Sequence, residues 1–169
     1  MEKNISKVIF LDIDGVLNNF DSPEENREII DMNMVLRLKR IVDASGAKIV
    51  LTSSWRLFFH SWQELRGERI SGHYKKLMTA FEKCGLSVYG VTDELSYGPD
   101  SRPEEISEWL KNHPDIKSFV ILDDSSWNWG MLSDHAVTTR RKAPSSENGW
   151  RSGLEDGNAD RAIEILSNE

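Results

Sequence analysis

Residues 8–17 of the 169-residue chain read Val-Ile-Phe-Leu-Asp-Ile-Asp-Gly-Val-Leu. A run of four apolar residues is typical of a strand that is covered on both faces, as strands are in a parallel sheet. Asp12 and Asp14 follow this run at once, and Gly15 permits a tight backbone bend just after the strand. The stretch therefore predicts a buried first strand that ends in two carboxylates.

Four more short apolar runs follow along the chain: Lys48 to Leu51, Ser87 to Val91, Phe119 to Leu122, and Ala136 to Thr139. Apolar residues at helical spacing lie between them and after them, within residues 34–42, 74–81, 106–110 and 162–166. Strands that alternate with helices predict an α/β fold, here a three-layer sandwich built on a five-stranded parallel sheet. A chain of this length predicts a single domain over residues 1–169.

Helix ends are marked by residues that favour caps. Gly46 and Gly85 suit the C-termini of the first two helices. Ser101 and Glu104 have the spacing of a capping box ahead of the third helix, and Asn158 is suited to cap the last one. The stretch from Ala143 to Asn158 is rich in Ser, Gly and Asn and predicts a long loop.

Composition excludes several classes of protein. The single cysteine, Cys84, cannot form an intramolecular disulfide and is expected to be buried and inert, which favours a reducing, cytoplasmic location. The early apolar run is too short for a signal peptide or a membrane span. A formal net charge of −7 disfavours non-specific binding to nucleic acid, but it does not exclude a nucleic-acid end as substrate.

Polar side chains follow three of the predicted strands. Asp12 and Asp14 follow the first, the hydroxyls of residues 52–54 follow the second, and Asp123 and Asp124 follow the fourth. The carboxyl ends of parallel strands are where ligands bind in such sheets, and four clustered carboxylates require a neutralising cation. Oxygen ligands without a nearby His or Cys favour Mg²⁺ over zinc, so all four carboxylates are expected at a magnesium site.

A metal-bound carboxylate can attack phosphorus, which makes Asp12 the candidate nucleophile. Asp14 is then free to protonate the leaving oxygen and later to activate water. These roles predict a phosphohydrolase that works through an aspartyl-phosphate.

The residues named above resemble those of the haloacid dehalogenase superfamily, whose members are mostly Mg²⁺-dependent phosphatases with a Rossmann-like core. The resemblance implies that Thr52 or Ser53, with Thr52 ranked first, binds the transferring phosphoryl group and that Asp123 and Asp124 complete the metal site. It implies a third-motif cation, for which we expect Arg102 and keep Arg56 as the alternative. It also implies the strand order 3-2-1-4-5.

Shorter strings are similar to a subfamily that includes the domain associated with bacterial RNA-repair proteins. They are Leu-Thr-Ser-Ser-Trp-Arg at residues 51–56, the pairs at 105–106 and 109–110, Ile-Leu-Asp-Asp at 121–124 and, more weakly, Gly-Leu at 153–154. The intervals between motifs, one of which holds a charged flap from Asp21 to Glu28, leave no room for a sizeable cap. The expected open site argues against a sugar-phosphate mutase, which must enclose its intermediate.

An open site favours a large substrate, such as a nucleotide or a polynucleotide end. Candidate contacts are basic residues for neighbouring phosphates and tryptophans for base stacking: Arg140, Arg141, Lys142, Arg151, Trp127 and Trp129. The alternatives are a small-metabolite phosphatase and a non-catalytic module that retains the fold. A phosphoacceptor receiver domain is a third alternative, but the order of the acidic motifs counts against it.

Overall fold

The computed structural model describes residues 5–19, 29–59, 72–95, 101–142 and 149–168. The strands are β1 (Lys7–Leu11), β2 (Lys48–Leu51), β3 (Val88–Val91), β4 (Ser118–Asp123), β5 (Ala136–Thr138), β6 (Arg141–Lys142) and β7 (Trp150–Arg151). The α-helices are α1 (Met32–Ser45), α2 (Gly72–Lys83), α3 (Ser101–Asn112) and α4 (Asp156–Ser167), and short 3-10 helices cover Ser54–Phe58 and Gly130–His135. The predicted flap from Asp21 to Glu28 lies outside the described residues, so the absence of a cap stays a prediction.

Five parallel strands form the main sheet in the order β3-β2-β1-β4-β5, which confirms the predicted Rossmann-like α/β fold and strand order. Leu11 is in register with Leu51 of β2 and with Leu122 of β4. The three strands therefore end at the same level. This register places the residues that follow them side by side.

Each face of the sheet is covered by helices. Ile9 and Leu11 of β1 point into a core formed with α1, α2 and α4, whereas Val8 and Phe10 point into a smaller core with α3. On that second face the rings of Phe10 and Trp109 meet edge to face with centroids 5.3 Å apart. The continuous apolar run of β1 is thus explained by burial on both sides, and the predicted three layers are present.

Helix α1 begins and ends with strong caps. Asp31 accepts a hydrogen bond from the backbone N–H of Asn33, and Gly46 adopts a left-handed conformation with φ of 70°. The N–H of Gly46 donates to the carbonyl of Val42 at 2.8 Å. The predicted C-terminal glycine is confirmed, because an L-residue with a side chain rarely adopts this conformation.

One predicted cap was wrong, and a second is not tested. Helix α4 begins a turn earlier than expected, with Glu155 as its N-cap, and Asn158 is its third residue and accepts the N–H of Glu155 at 3.0 Å. Asn158 is thus the third helical residue of a capping box, whose side chain bonds back to the backbone of the N-cap. The sequence spacing alone does not distinguish this position from the N-cap itself. Ser101 is the first residue of α3, and the residues before it lie outside the described ranges.

The stretch from Ala143 to Asn158, predicted to be a long loop, contains strand β7 and the start of α4, and residues 143–148 lie outside the described ranges. Strands β6 and β7 form a small antiparallel ribbon in which Arg141 faces Arg151 and Lys142 faces Trp150. Each strand has only two residues, so neither carries the apolar pattern by which strands are predicted.

Cys84 is half-buried rather than buried as the sequence had led us to expect. Among the described residues no helix has the length and apolar character to cross a membrane.

Candidate active site

Three carboxylates converge at the edge of the sheet, where β1 and β4 end. One oxygen each of Asp12, Asp123 and Asp124 lies within 4.8 Å of the others. Asp12 is 9% exposed and Asp123 only 2%. The backbone N–H of Asp12 donates to the carbonyl of Leu122 at 3.0 Å, so the strand pairing itself brings the two acidic motifs together.

The guanidinium of Arg102 lies beside this carboxylate cluster. Its Nη1 is 2.9 Å from Oδ2 of Asp123 and 3.4 Å from Oδ1 of Asp12, and it donates to Oγ1 of Thr52 at 3.1 Å. The ring of Trp127 covers the guanidinium at 5.7 Å and donates its Nε1–H to Oδ1 of Asp123 at 3.3 Å. Arg102 thus occupies the place expected of the third-motif cation.

Arg56, the alternative cation, is committed elsewhere. It forms a two-pronged ion pair with Glu105 of α3, with both N–O distances 3.0 Å, and both residues are buried. Its Nη1 also donates to the carbonyl of Thr52 and to Oγ1 of Thr92. These contacts connect the segment that follows β2 to α3, and they hold Arg56 away from the carboxylate cluster.

Burial and the charges of neighbouring carboxylates disfavour the ionised forms of Asp12 and Asp123. Burial raises the pKa of Asp12 to about 7, the charge of Asp123 adds to this, and Arg102 partly opposes it. Burial likewise raises the pKa of Asp123, against the opposing charge of Arg102 and a hydrogen bond from the N–H of Ser125. One guanidinium therefore does not compensate three carboxylates, and a divalent cation would.

The donor set fits Mg²⁺. The three clustered carboxylates supply only oxygen, and neither His nor Cys joins them among the described residues. Hard oxygen ligands suit Mg²⁺, which keeps several water or phosphate ligands and needs only a few carboxylates from the protein. The excess negative charge is the observation that favours the metal.

Asp14, the fourth predicted ligand, is held apart from this cluster. Its Oδ2 accepts the indole N–H of Trp55 at 3.1 Å, and its Oδ1 accepts the amide of Asn18 at 3.0 Å. Asn18 is fully buried, and its Oδ1 accepts the N–H of Gly15 at 2.8 Å. These bonds orient the Asp14 carboxylate, which suits a proton carrier better than a direct ligand.

Gly15 makes room for the metal carboxylates. Its φ is 76°, and a Cβ at this position would lie 2.2 Å from Oδ2 of Asp124. Its carbonyl accepts a hydrogen bond from Oγ1 of Thr139 at 2.7 Å. The bend expected after the first strand is therefore present, and the glycine is required both by backbone conformation and by the closeness of Asp124.

A cleft of about 330 Å³ opens over the carboxylates. The predicted hydroxyls differ in their relation to it: Thr52 is fully buried behind it, whereas Ser53 lines it while its Oγ caps the N–H of Trp55. The lining consists of charged groups, three serines and one glycine: Asp12, Asp14, Asp124, Arg102, Ser53, Ser54, Ser152 and Gly15.

Several of these residues were not found from the sequence. Trp55, Asn18 and Glu105 act through hydrogen bonds whose direction depends on the folded backbone, and Ser152 enters the cleft only because it follows the unforeseen strand β7. The available signals were the positions of Trp55 within the string at residues 51–56 and of Glu105 within the pair at residues 105–106.

The predicted nucleic-acid contacts are arranged less simply than expected. Arg141 is bound to Oε1 of Glu155 and to the carbonyl of Gly153, so it braces the ribbon. Arg151 is exposed and adjoins Ser152 of the cleft. Trp127 is engaged by Arg102, and Trp129 packs against the smaller core. None of these four residues lines the cleft itself.

A known family matches most of the chain. Residues 8–144 match the family described as the HAD domain in Swiss Army Knife RNA repair proteins. No curated protein and no solved structure matches the chain significantly. The family match covers most of the chain and includes every carboxylate of the site, together with Thr52, Ser53 and Arg102. The chain thus belongs to the family of HAD domains found in Swiss Army Knife RNA repair proteins.

Proposed function

We propose that this domain is a Mg²⁺-dependent phosphomonoesterase that works through an aspartyl-phosphate on Asp12. The observation that carries the proposal is the difference in surroundings between two carboxylates, Asp12 and Asp14, that lie two residues apart in the sequence. Asp12 lies among the charged side chains of Asp123, Asp124 and Arg102. Asp14 lines the same cleft, and its carboxylate accepts hydrogen bonds from the neutral side chains of Trp55 and Asn18. HAD membership supports hydrolase chemistry at such a site.

In the first step an oxygen of Asp12 attacks phosphorus, and the bond from phosphorus to the leaving oxygen breaks. Asp14 donates its proton to that oxygen, so the product leaves as an alcohol. Arg102, whose Nη1 already lies between Asp12 and Asp123, stabilises the negative charge on the phosphoryl oxygens.

In the second step water attacks the phosphorus of the aspartyl-phosphate and gives a proton to Asp14. The bond from phosphorus to the Asp12 oxygen breaks, which releases inorganic phosphate and restores the carboxylate. Asp12, Asp123 and Asp124 are the residues that would hold Mg²⁺, which when bound neutralises charge and orients the phosphoryl group.

We infer that the substrate is a nucleotide or a polynucleotide end. The family description supports this through its reference to RNA repair proteins. The exposed Arg151 supports it through its position next to Ser152, because a cation there can contact a phosphate adjacent to the one removed. The acidic net charge of −7 predicts weak and salt-sensitive binding.

The test is phosphate release from nucleotides, phosphosugars and oligonucleotides phosphorylated at the 3′ or 5′ end, with Mg²⁺ and with a chelator. We expect Mg²⁺-dependent release and a loss of about a thousandfold or more in Asp12→Asn, because an amide cannot attack phosphorus. Asp115→Asn, an exposed site before β4, is the matched control and should retain activity.

The outcomes separate the alternatives. Equal activity on phosphosugars and oligonucleotides, unaffected by salt, would support a small-metabolite phosphatase. No release from any substrate, with Mg²⁺ bound, would support a non-catalytic module. Full activity in Asp12→Asn would assign the nucleophile to another residue.

A further inference from the structure

A second, smaller pocket adjoins the catalytic cleft. It has a volume of about 140 Å³ and is lined by Ser54, Trp55, Phe58, His73 and Tyr74. Ser54 lines both this pocket and the cleft over the carboxylates. The two cavities are therefore neighbours across one residue of the 3-10 helix that follows β2.

We propose that this aromatic pocket binds the nucleobase of the nucleotide whose phosphate is removed. The inference rests on the proposed function, since it assigns the leaving group of that reaction. It adds a binding site, formed by the 3-10 helix at Ser54–Phe58 and the start of α2, to the site formed by the strand ends.

The pocket is next to Asp14, the residue proposed to protonate the leaving group. Trp55 lines it and at the same time donates its indole N–H to Oδ2 of Asp14. Asp14 is the residue that must reach the leaving oxygen in the proposed reaction. A group attached to that oxygen is therefore delivered toward Trp55 and away from the carboxylate cluster.

The lining suits a planar aromatic ring. Trp55 and Tyr74 are largely buried and form the floor, whereas Phe58, 38% exposed, and the exposed His73 form the accessible walls. The rings of Trp55 and His73 already stack on each other, inclined by 24° with centroids 6.1 Å apart, so a base is expected to extend this stack and not to insert between the two rings. A volume equal to that of about five liquid waters holds a base but not a whole nucleotide.

The tryptophans first considered for stacking, Trp127 and Trp129, line neither the cleft nor the aromatic pocket. Trp127 covers the guanidinium of Arg102 and bonds to Asp123, and Trp129 packs against the smaller core. Among the described residues, the aromatic pocket is connected to the cleft through Ser54, which lines both cavities. This comparison moves the predicted base contact from the loop after β4 to the loop after β2.

The experiment uses substrates that differ only in the base. Specificity constants are compared for adenosine 5′-phosphate against ribose 5-phosphate, and for a 3′-phosphorylated dinucleotide against the same molecule ending in an abasic residue. We expect the base to raise kcat/KM by about 5- to 150-fold in at least one pair, as stacking on aromatic side chains does elsewhere.

Phe58→Ala and His73→Ala should reduce that ratio toward one, because the rate on the base-containing substrate falls. Leu57→Ala is the matched control, because Leu57 lies on the same 3-10 helix, is 63% exposed and does not line the pocket. It should keep the wild-type ratio. Melting curves of all three variants verify that they are folded.

Turnover of both members of each pair at equal rates, or an unchanged ratio in both pocket variants, would overturn the subsite and leave the phosphatase intact. No Mg²⁺-dependent turnover of any substrate would overturn the proposed function instead. In that case calorimetry with adenosine and with ribose decides the subsite. Adenosine must bind more tightly than ribose and lose affinity in Phe58→Ala, or the proposal is wrong.

Discussion

Gly15 is the residue whose replacement tests the metal site most directly. In Gly15→Ala the new Cβ would lie 2.2 Å from Oδ2 of Asp124, so that carboxylate must move. We expect a loss of about 1 to 2 kcal/mol from the left-handed backbone alone and, in addition, loss of most of the rise in melting temperature that Mg²⁺ produces in the wild type. Thermal unfolding with and without Mg²⁺ measures both effects.

Gly46→Ala is the control for this experiment. Gly46 has nearly the same φ, 70°, and no atom within 4 Å of the position its Cβ would take. It should show the backbone penalty and keep the full response to Mg²⁺. A Mg²⁺ response preserved in Gly15→Ala would argue against Asp124 as a ligand.

Glu105 presents a second residue-scale test. Its buried carboxylate neutralises Arg56, so Glu105→Ala leaves an uncompensated buried charge. We expect a loss of about 3 to 5 kcal/mol in the free energy of unfolding, measured with urea. Glu108→Ala, on the same helix and paired among the described residues only with the exposed Lys111, should cost less than about 1 kcal/mol.

The double variant Arg56→Leu with Glu105→Leu distinguishes a paired charge from simple packing. Removing both charges together should recover much of the stability lost in Glu105→Ala, since neither group is left alone. Equal losses in the single and double variants would show that the ion pair is not the cause.

Individual residues were predictable where strand position alone decides their place. Asp12, Asp123 and Asp124 meet because parallel strands end at one edge of the sheet, in the strand order that the family resemblance implied. Arg102 was expected from the same resemblance, which implies a cation at the start of the helix before β4. Trp55 and Asn18 were not predictable as partners of Asp14, because a hydrogen bond of about 3 Å depends on side-chain rotation.

At the scale of elements, the five sheet strands and four α-helices were predictable from the period of the apolar residues. The ends of elements were less so. Helix α4 begins at Asp156 because Glu155 is an N-cap, and Glu is an uncommon residue at that position. The β6–β7 ribbon was not predicted because two-residue strands carry no periodic signal.

Asn158 has a defined role in this correction, which can be tested. Its Oδ1 accepts the N–H of Glu155 and its Nδ2 donates to the carbonyl of Thr138, so it fastens the start of α4 to the end of β5. We expect Asn158→Ala to lower the free energy of unfolding by about 1 kcal/mol. Urea unfolding measures the change.

Glu164→Ala is the companion variant on the same helix. Within the part of the chain that the structure describes, Glu164 pairs only with the exposed Arg161, so the change should cost less than about 0.5 kcal/mol. If both variants proved equally stable, Asn158 would have no special part in starting the helix.

At the scale of the whole molecule, the buried carboxylates make stability depend on pH. With the metal chelated, the folded protein retains a proton on Asp12 up to about pH 7, whereas the unfolded chain releases it near the ordinary value of 3.8. Because the folded state then binds more protons, the free energy of unfolding falls as pH rises between these values. The fall from this group reaches about 4 kcal/mol at most.

Chelated protein should therefore melt at progressively lower temperature as pH rises from about 4 to about 7, and Mg²⁺ should restore most stability at the upper end. Asp12→Asn removes one of the two buried groups with a raised pKa, Asp12 and Asp123, and should reduce the dependence, while Asp115→Asn should not. An unchanged slope in Asp12→Asn would assign the effect to other groups.

The crowding between Gly15 and Asp124 also has an evolutionary consequence. A side chain at position 15 and a carboxylate at position 124 compete for one space, so the two positions cannot drift independently as related chains diverge. A relative that has replaced this glycine must also have given up or displaced the carboxylate. Loss of the glycine would then mark, in a genome and without an assay, those descendants of the fold that have abandoned catalysis.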